Sequence, residues 1–398
     1  MDRPPAFTDV QAQARVNPPS RPCDAGMSRR LACIGLGPVV VSRARSHREH
    51  RRASANVCLV LPELARERNH PPEFTTPPAP HALPALTEST VSVIVPTYSR
   101  AETVTRAVRS IVEQSWPAFE IIVVDDNVRG SKASDDTRAA LQESFLLEHV
   151  KVVLTTGKVG GGAARNLGVK FATGSYLAFL DDDDVFLPDK LETQLKFMLG
   201  NELDMSYQDV EWYTKDGRLV ERRVLDHAVD STREELLRAH LRTPLCPTAV
   251  FMIRREAFER TEGFGEGKTG QDWVLMLRCI EAGLRIGYMP GVHVHQYLHT
   301  GERLSLGQNK IEGERDRHEL VKSYYPMLDS DDIRYVEFRH NAVLAVSAKR
   351  SGDFRGALSY SCKAIAASPR LCVQEAARLV SNRKRLGEGY RGEPSGPG

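Results

Sequence analysis

No stretch of the 398 residues is apolar for long enough to cross a membrane. The nearest, Leu31–Val41, falls far short of the ~20 residues a spanning helix needs. Read from Met27 it resembles a secretory signal, but Arg43, Arg45, Arg48, Arg51 and Arg52 follow at once. No small-residue cleavage site appears, so export is not expected. Cysteine supplies no framework either. Cys23, Cys33, Cys58, Cys246, Cys279, Cys362 and Cys372 are odd in number, scattered and never spaced CxxC. That argues against a disulfide lattice or zinc site and for a reducing cytoplasm. An excess of one charge is missing too: the formal net charge of +2 gives no global field toward nucleic acid or an anionic membrane. Lysine is absent from residues 1–88, which hold 12 Arg, 8 acids and 13 of the 23 prolines. Without sustained periodicity, that segment is expected to be disordered. A start of translation further downstream would equally account for it.

What is present centres on Tyr176-Leu-Ala-Phe-Leu-Asp181-Asp-Asp-Asp184. A short apolar run bounded by turn signals reads as a buried strand, here opened by Gly174 as the breaker of the preceding helix and closed by Pro188 at the start of the next. The aspartates then occupy a tight loop at the carboxyl end of a central strand, the edge at which open α/β sheets bind ligands. Four adjacent carboxylates repel one another. Either the loop is simply solvated, or a hard cation such as Mg²⁺ or Mn²⁺, shared with a substrate diphosphate, offsets the charge.

Order is expected from Val91–Val95, a strand, turning at Pro96-Thr97-Tyr98. Ser99 with Glu102 reads as a capping box for a helix whose apolar face is Val104, Ala107, Val108 and Ile111. Phe119–Val124 is the next strand, a parallel neighbour of the first. It ends in Asp125-Asp126, which suits either a nucleoside's hydrogen-bond donors or a helix cap. A third strand, Val150–Thr155, leads to Gly157-Lys-Val-Gly-Gly-Gly162, too irregular for a Walker A loop. Arg165, near the following helix start, either meets an anion or pairs with one of the aspartates.

Beyond the acidic loop the pattern turns antiparallel. Asp204–Tyr213 and Leu219–Val224 flank a Lys215-Asp-Gly-Arg218 hairpin; Ser231-x-x-Glu234 caps a helix; Ala249–Ile253 is a buried strand. Asp272 heads an amphipathic helix, as a cap or as a general base. His293, His295 and His299 follow a strand at Leu284–Met289 and read as loop residues. From about residue 308 the chain reads as helical. Leu344, Ala345, Gly352, Phe354, Ala357, Ala364 and Pro369 carry the spacing of one tetratricopeptide-like helix pair.

Over residues 90–305 these segments, in order, resemble the family 2 inverting glycosyltransferases of the GT-A fold. Val91–Tyr98 resembles the opening strand, Ile121–Asp126 the nucleoside-binding strand, and Gly162-Ala-Ala-Arg-Asn166 the Ala-Arg-Asn helix start. Leu180–Asp184 resembles the metal-binding motif; Ile253–Phe258, Gly263-Phe264 and Gln271-Asp272-Trp273 resemble the acceptor-side segment. The resemblance implies an α/β fold: a mixed, mostly parallel sheet flanked by helices, with a C-terminal helical appendage. Its expected boundaries are 89–200 for the nucleotide-sugar half, 201–305 for the acceptor half, 306–385 for the helical extension and 386–398 for a disordered tail. Pro96, Thr97, Tyr98, Asp126, Arg165, Asp181 and Asp182 would hold the nucleotide-sugar donor. Asp183 and Asp181, with His299, would hold Mn²⁺ or Mg²⁺. Asp272 would be the catalytic base, acting on a hydroxyl of a saccharide or lipid-linked acceptor. No nucleic-acid partner is expected. The place of work would be the cytoplasm, peripheral at most to the inner face of the cell membrane. The chain departs from the family pattern at Gln271, where Glu is usual, and at Gly265 and Lys158. Two alternatives compete: a haloacid-dehalogenase-type phosphatase using Asp181 and Asp183, and a non-catalytic interaction protein.

Overall fold

Alternating βα units build the first half, as the apolar pattern demands. The computed structural model describes residues 89–377 except 118, 227–230, 246, 266, 268–269 and 299–306. Strands β1 (Val91–Thr97), β2 (Phe119–Asp125) and β3 (Val150–Leu154) alternate with helices α1 (Ala101–Val112), α2 (Lys132–Glu143) and α3 (Gly161–Lys170). Then come β4 (Tyr176–Phe179), β5 (Val185–Phe186), α4 (Lys190–Gly200), β6 (Met205–Thr214) and β7 (Leu219–Arg223). Helix α5 (Arg233–Arg242), β8 (Met252–Arg254), α6 (Arg255–Glu259), α7 (Gln271–Glu281) and β9 (Ile286–Leu298) complete the sheet region. Helices α8 (Gly307–Lys322), α9 (Ser330–Arg350) and α10 (Phe354–Ala367) follow.

The sheet order is β3-β2-β1-β4-β8-β6-β9-β5, with β7 on β6. β3, β2, β1 and β4 are parallel; β8 then runs antiparallel to β4 and β6, whereas β6 and β9 pair in parallel. The parallel ladders carry most of the paired residues, so the mixed, mostly parallel sheet with C-terminal helices is as expected. Strand alternation gives two cores. Ile94, Ile122, Val124, Leu177 and Phe179 face one layer; Val93, Val95, Ile121, Val123 and Ala178 face the other, against Val104, Ala107, Val108 and Ile111 of α1. All four α1 residues are fully buried, each Val or Ile contributing roughly 1.5–3 kcal/mol.

Several local expectations are corrected. Ser99 caps nothing: it sits at φ 55°, and its N–H and hydroxyl donate to Asn127 Oδ1, leaving Arg100 at the N-cap. Gly174 does not end a helix, since α3 stops at Lys170. A Cβ there would lie 2.7 Å from the Ser92 nitrogen, so it permits close approach to β1. Pro188 precedes the N-cap Asp189 rather than opening α4. The second capping box is one residue later than read, Thr232 with Glu235. Ala249–Ile253 divides into a 3-10 turn, Thr248–Val250, and the short β8. Most consequential, β9 does not stop at Met289. It passes Pro290 and Gly291 (φ 112°) by slipping register against β6, so His293 and His295 are strand residues, not loop residues.

Candidate active site

The four aspartates lie where the sheet order predicts, in a tight turn after the central strand β4; the Asp184 N–H donates to the Asp181 carbonyl at 3.1 Å. Each acid has a different surrounding. Asp181, Asp183 and Asp184 each offer an oxygen, and these atoms lie within 4.8 Å of one another. Asp182 is otherwise engaged: the Thr97 hydroxyl donates to its Oδ2 at 2.7 Å and Arg100 Nη1 to its Oδ1 at 2.9 Å. Burial pushes the Asp182 carboxyl up to about 6, against the pull of Arg100. Asp184 is buried and raised well above the ordinary carboxylate range, first by burial and then by Asp183 and Asp181. Gln296 Nε2 and the Tyr297 N–H donate to it.

Positive charge already stands around the turn. Arg100 also pairs with Asp183, Arg165 pairs with Asp181, and Arg106 Nη2 donates to the Asp183 carbonyl at 2.6 Å. Arginines therefore offset part of the charge, and of the two sequence readings of Arg165 the structure shows the pairing with an aspartate. The oxygen-only donor set of Asp181, Asp183 and Asp184 nonetheless suits a hard divalent ion such as Mg²⁺ or Mn²⁺.

On the β1–β2 side, Asp126 organises the glycine-rich loop. Its Oδ1 accepts from the Thr155 hydroxyl (2.7 Å) and the Val159 N–H (2.8 Å), its Oδ2 from the Gly160 N–H (2.9 Å). Asp125 instead accepts from Asn127 and the Ser134 hydroxyl, bracing the entry to α2. Thr97 and Pro96 close β1, while Tyr98 is 42% exposed beneath Lys158, whose Nζ lies 5.5 Å from the ring centroid.

Helix α7 enters from the other half. Gly161 and Gly162 at the start of α3 let it come close: a Cβ on Gly162 would lie 3.0 Å from Gln271 Cδ and 2.5 Å from the Gly265 carbonyl oxygen. Arg165 Nη1 reaches Gln271 Oε1 at 3.3 Å, so one guanidinium joins the acidic turn to the α7 N-terminus. Asp272 is not the cap, a place taken by Gly270; it lies in the first turn, half-buried. Its Oδ1 accepts from the Trp273 N–H at 2.8 Å, and Oδ2 has no hydrogen-bond partner among the described residues. Trp273 is held by His240 of α5: the Nε2–H donates to the Trp273 carbonyl at 3.0 Å, and the rings stack 5.1 Å apart.

The profile of Glycosyl transferase family 2 matches residues 92–261. The putative teichuronic acid biosynthesis glycosyltransferase TuaG of Bacillus subtilis is 36% identical over 194 residues, covering 48% of this chain and 73% of TuaG. The chain belongs to glycosyl transferase family 2. Within the family it is also 34% identical over 121 residues to a UDP-Glc:alpha-D-GlcNAc-diphosphoundecaprenol beta-1,3-glucosyltransferase, WfgD of Escherichia coli, over 30% of this chain. The chain spans under half the length of several relatives it matches, 46% for WfgD. Among solved structures, S. aureus TarS overlays with a TM-score of 0.48 at 20% identity, over 76% of this chain and 55% of that one. Family membership overturns the phosphatase alternative.

Of the residues this family 2 chain was expected to use, Thr97, Asp182 and Asp183 are joined through Arg100, while Arg165 pairs with Asp181 and reaches Gln271 on the helix bearing Asp272. Asp126, just past β2, donates its N–H to the Thr97 carbonyl at 2.9 Å, while its carboxylate holds the loop that leads into α3. His299 lies outside the described residues, as do residues 1–88 and 378–398. His293 pairs with Asp189 and His295 with Glu211. Sequence reasoning missed Arg100, Arg106 and Gln296, and it read Asp184 only as part of the acidic motif. Arg100 alone had a local signal: a basic residue just past the end of the first strand.

Proposed function

We propose that the chain transfers a monosaccharide from a nucleotide-diphosphate sugar to a hydroxyl of a saccharide or lipid-linked acceptor, with inversion at the anomeric carbon. The observation that carries this is the arrangement just described. Three aspartate oxygens within 4.8 Å are coupled through Arg165 to the helix turn that holds Asp272. The names of WfgD and TuaG, one giving UDP-Glc and a diphosphoundecaprenol-linked acceptor, the other teichuronic acid biosynthesis, support the substrate class.

In this reading Asp181, Asp183 and Asp184 hold Mg²⁺ or Mn²⁺. Bound there, the ion would neutralise charge growing on the leaving diphosphate. The protein's own residues do the rest. Asp182, held by Thr97 and Arg100, faces the donor's ribose; Tyr98 and Pro96 border its base; the loop ordered by Asp126 shapes the floor. Arg165 keeps the donor cluster and α7 in register. Asp272 presents Oδ2, without a hydrogen-bond partner among the described residues, accepts the acceptor hydroxyl's proton and so makes that oxygen the nucleophile. The oxygen attacks the anomeric carbon as the bond to the diphosphate breaks on the opposite face.

Thermal-shift screening of nucleotide-sugars with Mn²⁺, followed by calorimetry on the best donor, tests the reading. Wild type should bind the donor in a Mn²⁺-dependent way and transfer its sugar, and Asp183→Ala should lose the Mn²⁺-dependent part of binding. Unchanged binding by Asp183→Ala removes the metal role. Absence of donor binding by wild type sinks the transferase reading in favour of a non-catalytic protein.

A further inference from the structure

The terminal helix pair carries an apolar row that the described residues leave uncovered. Phe354, Leu358 and Ile365 recur on one face of α10 and are 71%, 68% and 52% exposed. Val346, late in α9, and Val373, beyond α10, are 52% and 70% exposed. Of the side chains of α10 itself only Ala364 is buried. Large apolar residues exposed singly are ordinary, but a contiguous set on a short helix marks a surface that meets something.

The charges beside the row say what. Between residues 346 and 377 stand Lys349, Arg350, Arg355, Lys363 and Arg370 against Asp353 and Glu375. All five basic residues are exposed, and among the described residues none has an ion-pair partner. Asp353 is occupied at the N-cap of α10, where it accepts from the Gly356 N–H at 2.8 Å. The sequence after residue 377 extends the bias, with Arg378, Arg383, Lys384 and Arg385 before the next acid, Glu388.

We propose that this face rests on an anionic lipid bilayer, α10 lying in the plane of the headgroups. An apolar row with an exposed base at its edge, Arg355, and others beyond both ends, Lys349, Arg350 and Arg370, is the pattern of an interfacial helix, and anionic lipid attracts each juxtamembrane base. A second copy of the chain fits worse, because it would bring two cationic faces together. At 14 residues α10 is ~21 Å long, too short to span. The chain's net charge of +2 is no obstacle, because screening confines the attraction to charges within about 10 Å of the surface. This inference stands on the surface of the terminal helices and is independent of the transfer reaction.

The test uses the full chain and two kinds of vesicle, phosphatidylcholine alone and phosphatidylcholine mixed with phosphatidylglycerol, in sedimentation assays. Binding to the mixed vesicles should be at least about tenfold tighter and should weaken as salt is raised. The double variant Phe354→Ser/Leu358→Ser should lose about tenfold or more. Circular dichroism should be unchanged, since both side chains are exposed. The triple variant Lys349→Glu/Arg350→Glu/Arg355→Glu should lose the preference for anionic lipid. Equal affinity for the two vesicles, no binding by wild type, or undiminished binding by the double variant overturns the proposal. So does a dimer in light scattering that the double variant abolishes, which would assign the face to a second copy.

Discussion

His240 offers a test of how the helix that bears Asp272 is held. The ring is fully buried between α5 and α7, its Nε2–H donated to the Trp273 carbonyl and its Nδ1 accepting the Leu245 N–H at 3.2 Å. Both nitrogens are committed in the neutral form, so protonation would place a second donor against the Leu245 N–H. Burial lowers the imidazole from 6.5 to about 3, with Arg317 and Arg339 adding repulsion. In the unfolded chain the ring takes a proton below about 6.5; in the folded chain it does not until about 3. Between these values the unfolded state binds more protons, so stability present above pH 6.5 is lost as pH falls. The full difference is on the order of 4–5 kcal/mol, of which about 2 kcal/mol should be gone by pH 5.

Urea unfolding of wild type and His240→Gln at pH 7, 6 and 5 reads this out. The variant should start lower at pH 7, by roughly 1–3 kcal/mol for lost ring packing and altered hydrogen bonds. The gap should then close by about 2 kcal/mol toward pH 5, since only wild type loses the histidine contribution. Taking the difference matters, because His318, also lowered by burial, to about 4, acts in the same direction in both proteins. Parallel stability curves for the two proteins between pH 7 and 5 would refute the reasoning. So would an NMR titration of His240 with a midpoint near 6.5.

Asp272→Asn should cut transfer by ~10²–10⁴ while leaving donor affinity in calorimetry nearly unchanged; near-normal turnover would remove Asp272 as base. Gly162→Ala would drive a methyl to 2.5 Å from the Gly265 carbonyl oxygen, so α3 and α7 must part; we expect a loss of about 1–3 kcal/mol in urea midpoint analysis and reduced turnover. Arg254→Ala removes the buried partner of Asp204, at 3.3 Å with both side chains under a tenth exposed, and should cost about 3–5 kcal/mol. A loss below about 1 kcal/mol on urea titration would mean that Arg260 and Arg285, which also reach Asp204, compensate.

What was legible in the sequence was what local periodicity encodes. The short apolar run Val91–Val95 and the 3.6-residue spacing of Val104, Ala107, Val108 and Ile111 placed the first βα unit correctly, because both faces of that strand are buried by its immediate neighbours. The Lys215–Arg218 turn placed the β6–β7 hairpin for the same reason. The errors arose where a distant group outcompeted a local rule. Asn127 took Ser99 away from its cap, and β6 kept β9 extended past a Pro-Gly pair. In each case the competing partner lies 28 or more residues away, beyond any window of propensity.

The acidic turn makes the same point about chemistry. As text, Asp181 to Asp184 are four identical letters, and only the family resemblance nominated Asp181 and Asp183 for the ion. In the fold each acid is assigned by a residue far along the chain. Thr97 and Arg100 claim Asp182; Arg165 reaches Asp181 and, through Gln271, the helix that carries Asp272; Gln296 and Tyr297 bury Asp184. The last of these contacts exists only because β9 runs on past Gly291 to meet β5. The strand extension that the sequence concealed is therefore what supplies the two donors that hold the Asp184 carboxyl, whose oxygen lies within 4.8 Å of those of Asp181 and Asp183. Shortening β9 at Gly291 would remove both donors and leave the buried Asp184 carboxyl without the bonds that orient it.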